Sequence, residues 1–505
     1  MKECFSCGAG NRPGATYCGT CGKPLPPVEA DVEPAADSPP SDATRYLCAA
    51  VQLNSQFADH VVRDILDEEF KAPPASPDVD LVPVILHAIA ARKRHLVRDV
   101  LLTLLLASAV WGVYSPRYVV VLLALALCWV VVVGETLVAT YGVVANDLRP
   151  ERFDPKALSS NDPEITRRLE QVATARRGNV TVYSAYEPFV GSGVLVKAES
   201  FTLNTKRAAE GRDAESFTAL EIHDFVKRKL CDLRTGQVAL SDRVFVDGRD
   251  IRDDRRFLPD RLAVPKAKVD RSLVRSLIVE PEDRARSYLT VQISGWRGQV
   301  VVSTFLRFVV TPHGLVYEVT HCVLPPVRDE FQEVDRLLPE PTARQAIRIG
   351  GRAVRRTPGH VVRAPFAVVA HLLGPVTAAR QRSRQRREIV SSLRFDYGSA
   401  RSPRETVSDR SFQRYFQQLD GALYIKVIEE RMLQAVEQFF EAKGIDTAEL
   451  TQRQTVIQNN GVLVTTGGSI TAGSVAAGTG ARATAALRKA AKAARQGVNE
   501  ATGRN

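Results

Sequence analysis

The sequence predicts a multi-domain membrane protein with a small cysteine-rich module, a two-helix transmembrane hairpin, a cytoplasmic α+β domain with an antiparallel sheet, and a helical C-terminal region. Three observations predict this fold class: paired cysteines near the start, two adjacent apolar runs, and a block of alternating β-branched residues. A chain of 505 residues suffices for roughly two to four domains. With 45% hydrophobic and 25% charged residues, the composition excludes a wholly disordered chain and a collagen-like one.

The first element contains two C-x-x-C motifs. Cys4 and Cys7 form the first motif, Cys18 and Cys21 form the second, and ten residues separate them. Four thiolates supply the tetrahedral sulfur set that Zn²⁺ favours and leave no position for water, which predicts a structural metal. With both motifs intact, residues 1–26 resemble the short bacterial zinc-ribbon module. The alternatives are cysteines that are unrelated to one another and a redox-active dithiol, although no βαβ pattern of a thioredoxin-like site surrounds them.

The next two segments connect this module to the membrane. Residues 27–42 combine Pro, Ala and acids with little to bury, which predicts a linker. Residues 43–95 follow, and their apolar side chains from Tyr46 to Leu66 fall near helical spacing. We therefore expect amphipathic helices before the hairpin.

Residues 96–145 are predicted to form the transmembrane hairpin. The runs 100–114 and 118–134 hold no charged residue, and only Ser115, Pro116 and Arg117 separate them. With their flanks, both runs approach the roughly 20 residues that cross a hydrocarbon core of about 30 Å. The alternative is a buried helical hairpin in a soluble protein.

Basic residues predict the orientation of the hairpin. They flank its open end at Arg92, Lys93, Arg94, Arg98, Arg149 and Arg152, whereas the turn holds only Arg117. The positive-inside rule therefore predicts a multi-pass protein of the cell inner (plasma) membrane with cytoplasmic N- and C-termini. Asp99 and Glu135 fall at the cytoplasmic end, where we expect solvent to reach them; an intramembrane proton or ion site is the alternative.

Residues 161–341 have the pattern of an α+β domain. Residues 179–184, 193–198 and 244–246 read as strands, and residues 218–233 have helical periodicity. Residues 287–323 then form three β-rich runs with short Gly-containing connections, which predicts an antiparallel meander. The Gly191-Ser192-Gly193 tripeptide lacks the flanking residues of a phosphate loop, so we interpret it as a connection between strands.

One stretch of this domain carries a resemblance. The residues RGNVTVYS at 177–184 and PFVGSG at 188–193 resemble a stretch of uncharacterised actinobacterial membrane proteins. The resemblance implies no activity, cofactor or substrate.

The charge of the chain is concentrated in residues 344–394. This segment contains twelve arginines, no lysine and one acid, Glu388, so it accounts for the whole formal net charge of +11. An apolar stretch at 364–379 lies inside it, and Pro365 and Pro375 argue against a third span there. We expect an interfacial segment that contacts anionic lipids through eight basic side chains: Arg355, Arg356, Arg363, Arg380, Arg382, Arg384, Arg386 and Arg387. A nucleic-acid footprint and a solvated basic linker are the alternatives.

The C-terminal region is predicted to begin with an amphipathic helix. Residues 404–444 contain it, from about Phe412 to Ala442, and Gly444 is a suitable stop. Its broad apolar face predicts core packing or self-association. Residues 455–505 form a tail rich in Gly, Thr and Ala that ends in a basic Ala-rich helix. The tail resembles the amyloid-like signalling tails of some bacterial defence proteins; a plain Gly/Ser/Thr/Ala tail is the alternative.

These features together predict a membrane-anchored zinc-ribbon scaffold or adaptor that binds protein partners at the cytoplasmic face of the membrane. The sequence holds no nucleophile elbow, phosphate loop, zinc-protease motif or kinase motif. A membrane-tethered enzyme with its site in residues 161–341 is one alternative, and a nucleic-acid-binding membrane protein that uses the Arg-rich segment is another. The expected cofactor is structural zinc, and the expected partners are anionic lipids, proteins and further copies of the chain.

Overall fold

The computed structural model describes residues 2–3, 10–11, 19–21, 41–184, 186–233, 235–337, 343–409 and 411–451. Its helices are α1 (Asp42–Leu53), α2 (Ser55–Val62), α3 (Leu81–Tyr114), α4 (Tyr118–Leu137), α5 (Ala145–Asp147), α6 (Pro163–Arg176), α7 (Ala219–Leu230), α8 (Arg271–Val279), α9 (Ala343–Ser391), α10 (Pro403–Val407) and α11 (Tyr415–Ala442). Its strands are β1 (Lys2–Glu3), β2 (Gly10–Asn11), β3 (Val180–Tyr183), β4 (Val194–Leu203), β5 (Gln237–Asp247), β6 (Ala285–Gly295), β7 (Val300–Thr311) and β8 (Gly314–Leu324). Two π-helical segments, Arg63–Asp67 and Val138–Val144, continue α2 and α4.

The predicted amphipathic helices are present as α1 and α2. Together with residues 81–91 of α3 they form a unit that we call the helical base. The Ser41 hydroxyl accepts from the Thr44 N–H and caps α1, and the Asn54 carboxamide accepts from the Phe57 N–H at 3.1 Å and caps α2. The apolar faces of both helices pack against the first third of α3, where Ile85 is fully buried. The base therefore encloses the beginning of the helix that later becomes the first arm of the hairpin.

The predicted hairpin is present as α3 and α4. They are antiparallel neighbours joined at Ser115-Pro116-Arg117. The helix that forms the first arm begins at Leu81, well before the predicted boundary at residue 96, and its residues 81–91 contribute to the core of the helical base.

The main sheet has six strands in the order β3-β5-β6-β7-β8-β4. The β6-β7-β8 meander is antiparallel, as predicted. The prediction of an antiparallel sheet was wrong at one edge, because β3 pairs with β5 in parallel. Between these two strands the chain visits β4 at the far edge and then α7, and such a long excursion allows it to re-enter in the same direction. The sheet is therefore mixed.

Helices cover one face of the sheet. α7 and α11 bury Ile222, Val226, Ile428 and Met432 against inward-facing sheet residues such as Val302. α8 packs beside them in a second core with β5 and β6. α11 matches the predicted amphipathic helix, and Gly444 follows it with φ +66°, a left-handed conformation that suits glycine.

The Arg-rich segment, for which no secondary structure was predicted, is mainly helical. Residues 343–391 form one long helix, α9, which includes Pro358, Pro365 and Pro375. A proline removes one backbone hydrogen bond and bends a helix without ending it when packing holds both sides. Here Ala353 and Ala364 are buried against the hairpin. The predicted tail at residues 455–505 lies outside the described residues.

Candidate functional site at the base of the hairpin

The hairpin presents an apolar outer surface. Its exposed large side chains include Val97, Leu101, Leu104, Trp111, Tyr114, Tyr118, Leu122, Leu125 and Trp129. Within the described residues, three helical stretches are long and apolar enough to cross a membrane: Leu81–Tyr114, Tyr118–Asp147 and Thr357–Ser391. The prediction of membrane-spanning helices is thus confirmed by length and composition, and a third stretch joins the two that were expected.

A cluster of charges lies where the hairpin meets the helical base. The Arg94 guanidinium donates from Nε to Glu135 Oε1 at 3.0 Å. Arg98 Nη1 lies 3.7 Å from Glu135 Oε2, and His95 Nε2 lies 3.5 Å from Oε1. Glu135 on α4 therefore receives three basic side chains from α3. Arg98 also holds Asp99, with 2.8 Å between Nη2 and Oδ1.

These contacts correct one expectation. Asp99 and Glu135 were expected to be solvated at the membrane surface, yet both carboxylates are largely buried and paired. Because burial of an unpaired charge is costly, the arginines compensate for the loss of water. The sequence placed both residues near the open end of the hairpin but could not show that helix spacing brings their partners to them.

Arg94 extends the cluster into the helical base. Its Nη1 donates to Gln52 Oε1 at 2.6 Å and its Nη2 donates to the Gln52 carbonyl at 2.8 Å. The Gln52 amide in turn donates to the His87 carbonyl at 3.2 Å. One guanidinium thus joins α1, α3 and α4 where the hairpin meets the helical base.

The helix α9 lies against this region. Ala353 and Ala364 pack onto Leu102, Cys128 and Val132 of the hairpin. The Tyr141 hydroxyl donates to Gln345 Oε1 at 3.2 Å near the start of α9. Near its end, Gln385 donates to Glu68 at 2.7 Å and Arg382 donates to Glu164 at 2.9 Å. One end of α9 therefore contacts the π-helical segment after α4, and the other end contacts Glu68 after α2 and Glu164 of α6.

The opposite side of α9 carries apolar and basic side chains together. Its exposed apolar residues recur at helical spacing: Val354, Val362, Phe366, Val369, Leu373 and Val376. Six of the eight arginines predicted to contact lipid have exposed side chains: Arg355, Arg363, Arg380, Arg384, Arg386 and Arg387. Arg382 is half-buried in its contact with Glu164, and the Arg356 side chain lies outside the described set.

The Gly191-Ser192-Gly193 loop has an internal partner. The backbone N–H groups of Gly191 and Gly193 donate to one oxygen of Glu405, at 2.8 and 3.0 Å. Burial raises the pKa of Glu405 above its ordinary value, although the N–H groups of Gly193, Ser402 and Gly191 act in the opposite direction. The interpretation of the tripeptide as a connecting loop agrees with these contacts, since its donors hold α10 in place.

Sequence reasoning missed two buried ionic clusters on the helix-covered face of the sheet. In the first, Glu429 of α11 accepts from Lys197 Nζ at 2.7 Å, and His321 Nε2 lies 3.1 Å from the same oxygen. Thr304 Oγ1 contacts His321 Nδ1 at 2.9 Å. Burial raises the pKa of Glu429, but the contacts with His321 and then Lys197 outweigh it and hold the pKa below its ordinary value.

The second cluster likewise combines a carboxylate with one histidine and one lysine. Asp242 of β5 contacts His223 Nε2 at 2.8 Å and accepts from Lys227 Nζ at 2.7 Å. Burial raises the pKa of Asp242, whereas His223 and Lys227 together lower it well below its ordinary value. His223 and Lys227 stand four apart on α7, which was the one available sequence signal. The partners of Glu429 are far away in sequence, so no spacing pointed to them.

Comparison with known families bears on the region that holds both clusters. Residues 196–472, more than half of the chain, match the AbeC-like domain. The chain belongs to the AbeC-like domain family. Neither a curated protein nor a solved structure matches the chain.

The AbeC-like domain begins in β4 and continues past Thr451, the last described residue. It includes both ionic clusters, Glu405 and the whole of α9. The helical base, α3 and α4 precede the matched residues, so the charged cluster around Glu135 lies outside the AbeC-like domain and joins the hairpin to the helical base.

The proposed zinc ligands fall almost entirely outside the described residues. Cys21 is exposed in a turn, and Cys4, Cys7 and Cys18 are not among the residues that the structure describes. Within the described ranges, no group of three His, Cys, Asp or Glu side chains could hold a metal ion. β1 and β2 pair as antiparallel neighbours, Lys2 with Asn11 and Glu3 with Gly10, on either side of the first C-x-x-C.

Proposed function

We propose that this chain is a membrane-anchored scaffold or adaptor that binds protein partners at the cytoplasmic face of the plasma membrane. One observation carries the proposal, and it is the different surroundings of the two ends of α3. Its first third is buried in the helical base, and its last third exposes apolar side chains such as Leu104 and Val113. The Arg94 contacts fix the junction. The body is thus held at the bilayer in one orientation, which suits a platform for partners.

The orientation follows from charge. The basic residues lie at the open end of the hairpin, next to the helical base, and the turn carries only Arg117. The positive-inside rule then assigns both termini and the AbeC-like domain to the cytoplasm.

Residues 1–26 supply a zinc ribbon in this proposal. Cys4, Cys7, Cys18 and Cys21 are the ligands, and four thiolates suit a structural Zn²⁺. The β1–β2 pairing supports this assignment because it brings the two sides of the first C-x-x-C together. The ion stabilises a module of about 25 residues that is too small for a hydrophobic core of its own.

The helix α9 contacts anionic lipid in this proposal and does not cross the bilayer. Its apolar side chains, including Phe366 and Val369, face outward beside the lipid-facing hairpin, and exposed arginines flank them. Each basic residue near an anionic surface contributes about 1 kcal/mol. Gln345 contacts Tyr141 and Gln385 contacts Glu68, so both ends of α9 lie near the open end of the hairpin, which supports a helix that does not pass to the other side of the bilayer.

Affinity capture from membranes tests the adaptor role. The full chain and a variant with Cys4→Ser and Cys7→Ser are recovered from mild detergent, and co-purifying proteins are quantified against an unrelated hairpin protein. An adaptor retains at least one protein in near-equimolar amount, and the variant loses those partners that bind the ribbon. Recovery of the same background proteins from all three samples would contradict the proposal.

A further inference from the structure

The second half of α11 is buried, but its first half carries an uncovered apolar patch. Tyr415, Phe416, Leu419 and Leu423 are 69%, 65%, 45% and 50% exposed. The C-terminal half buries Met432, Val436 and Phe440 in the main core. Such a row of large exposed apolar side chains on one helix usually marks a surface that another segment, a second copy or a partner covers.

We propose that the chain's own segment 455–464 lies along α11 and covers this patch. The described chain ends at Thr451, whose hydroxyl donates to Glu437 Oε1 at 3.2 Å. Phe416, Leu423, Glu430 and Glu437 are seven residues apart and therefore share one helix face, with a drift of only about 20° per step. The segment after Thr451 thus starts on the face that bears the patch.

The spacing and chemistry of the segment fit the patch. Leu423 lies fourteen residues before Glu437, about 21 Å along the helix, and about six extended residues span that distance. Phe416 lies 21 residues before Glu437, about 32 Å along the helix, a distance that about ten extended residues span. The chain up to residue 464 therefore has the reach to cover the patch, and five residues of the segment 455–464 are large and apolar: Val456, Ile457, Val462, Leu463 and Val464. No charged residue occurs from Thr455 to Gly480, as an uncharged patch requires.

The family match supports an occupant from the same domain. The AbeC-like domain extends to residue 472, so the segment directly after Thr451 belongs to the same unit as α11. A second copy is a weaker occupant. Four partly exposed side chains offer on the order of 400 Å², about half of the roughly 800 Å² per partner that a stable interface buries.

The bilayer is also a weaker occupant. Trp296 donates to Asp420 at 2.8 Å beside the patch, and the turn that holds Trp296 meets Asp78 just before α3. The first exposed apolar residue of the hairpin is Val97, sixteen residues after Leu81 and about 24 Å further along α3. The patch therefore lies at the end of the body that is remote from the membrane.

Photo-crosslinking of the full chain in nanodiscs tests the proposal. A photoreactive residue replaces Leu419, and one at exposed Tyr186 is the control. Mixed heavy-isotope and light-isotope copies distinguish crosslinks within a chain from those between chains. We expect crosslinks from position 419 to residues 455–464 of the same chain and none of these from position 186. Crosslinks to another copy, to a different protein or to lipid would overturn the proposal.

A labelling experiment provides an independent test. Leu423→Cys is modified with a maleimide in the full chain, alone or with Val462→Asp, Leu463→Asp and Val464→Asp. Because charged side chains in the segment 455–464 disfavour its contact with the apolar patch, we expect the three Asp substitutions to raise the rate of maleimide modification at position 423 about tenfold. The control with Val475→Asp, Ala476→Asp and Ala477→Asp should leave the rate unchanged. Equal rates for both triple variants would show that the segment does not cover the patch.

Discussion

Arg94 on α3 and Glu135 on α4 form a largely buried ion pair, with 3.0 Å between Nε and Oε1, and the same guanidinium donates twice to Gln52 on α1. Besides the continuous helix α3, this side chain therefore joins both arms of the hairpin to the helical base. An anchor that is joined in this way transmits its orientation to the body, whereas a linker would not.

Glu135→Gln should loosen this junction. The substitution leaves Arg94, Arg98 and His95 without their shared carboxylate, and removal of one partner of a buried pair typically costs about 3–5 kcal/mol. Thermal unfolding of the full chain in nanodiscs measures the loss. The matched control is Glu151→Gln, since Glu151 is exposed. Equal unfolding midpoints for the two variants would refute the role of Glu135.

Acid should weaken the attachment of α11 to the sheet. The pKa of Glu429 is lowered in the folded state, so its stabilising contribution is present above its ordinary pKa and is lost as the pH falls through the folded value. We expect the unfolding midpoint to fall as the pH drops below about 4, and Glu429→Gln to reduce both the midpoint at neutral pH and this acid dependence.

Scanning fluorimetry between neutral pH and pH 3 checks this prediction. Glu430→Gln is the control because Glu430 is the next residue and is exposed. If Glu429→Gln kept the acid dependence of the parent chain, the cluster around His321 would not be its source.

Neutralising the exposed arginines of α9 should reduce the retention of anionic lipid. Arg380, Arg384, Arg386 and Arg387 are changed to Gln, and Arg382 is kept because it contacts Glu164. At about 1 kcal/mol for each basic residue, the loss should be large and should shrink at high salt. Native mass spectrometry of the detergent-extracted protein counts bound lipids.

The control for charge alone changes four exposed arginines elsewhere in the AbeC-like domain to Gln: Arg228, Arg255, Arg284 and Arg286. Equal lipid retention in both variants would show that α9 is not the lipid contact.

The zinc assignment predicts a metal content of one ion for each chain. Cys18→Ser should release it, because three thiolates bind Zn²⁺ more weakly than four and the small module has no other core. Inductively coupled plasma mass spectrometry gives the zinc-to-protein ratio, and Cys231→Ser, at an exposed site outside the module, is the control. An unchanged ratio in the Cys18→Ser variant would remove these cysteines as ligands.

Local patterns predicted most elements of the fold, and long-range pairing decided the rest. The β6-β7-β8 meander follows from strand periodicity and short turns, so it was predictable. The parallel β3–β5 edge was not, because no turn links those strands. The continuity of α9 through three prolines was not predictable either, because Ala353 and Ala364 pack on the hairpin through contacts that no local pattern shows.

The candidate site shows the same limit. Composition and charge placed Glu135 at the end of the hairpin, but its contact with Arg94 depends on how two helices align. The His321 and Glu429 side chains lie in separate elements 108 residues apart, so their contact depends on the tertiary fold.

Cysteine labelling in intact cells tests the central claim, a hairpin anchor with its body in the cytoplasm. Single variants Ser115→Cys, Tyr186→Cys and Lys426→Cys are exposed to a membrane-impermeant maleimide and scored against the parent chain. We predict that position 115 in the hairpin turn reacts from outside, whereas positions 186 and 426 react only after permeabilisation. External labelling at position 426 would mean that α9 crosses the membrane, and external labelling at position 186 would contradict the account as a whole.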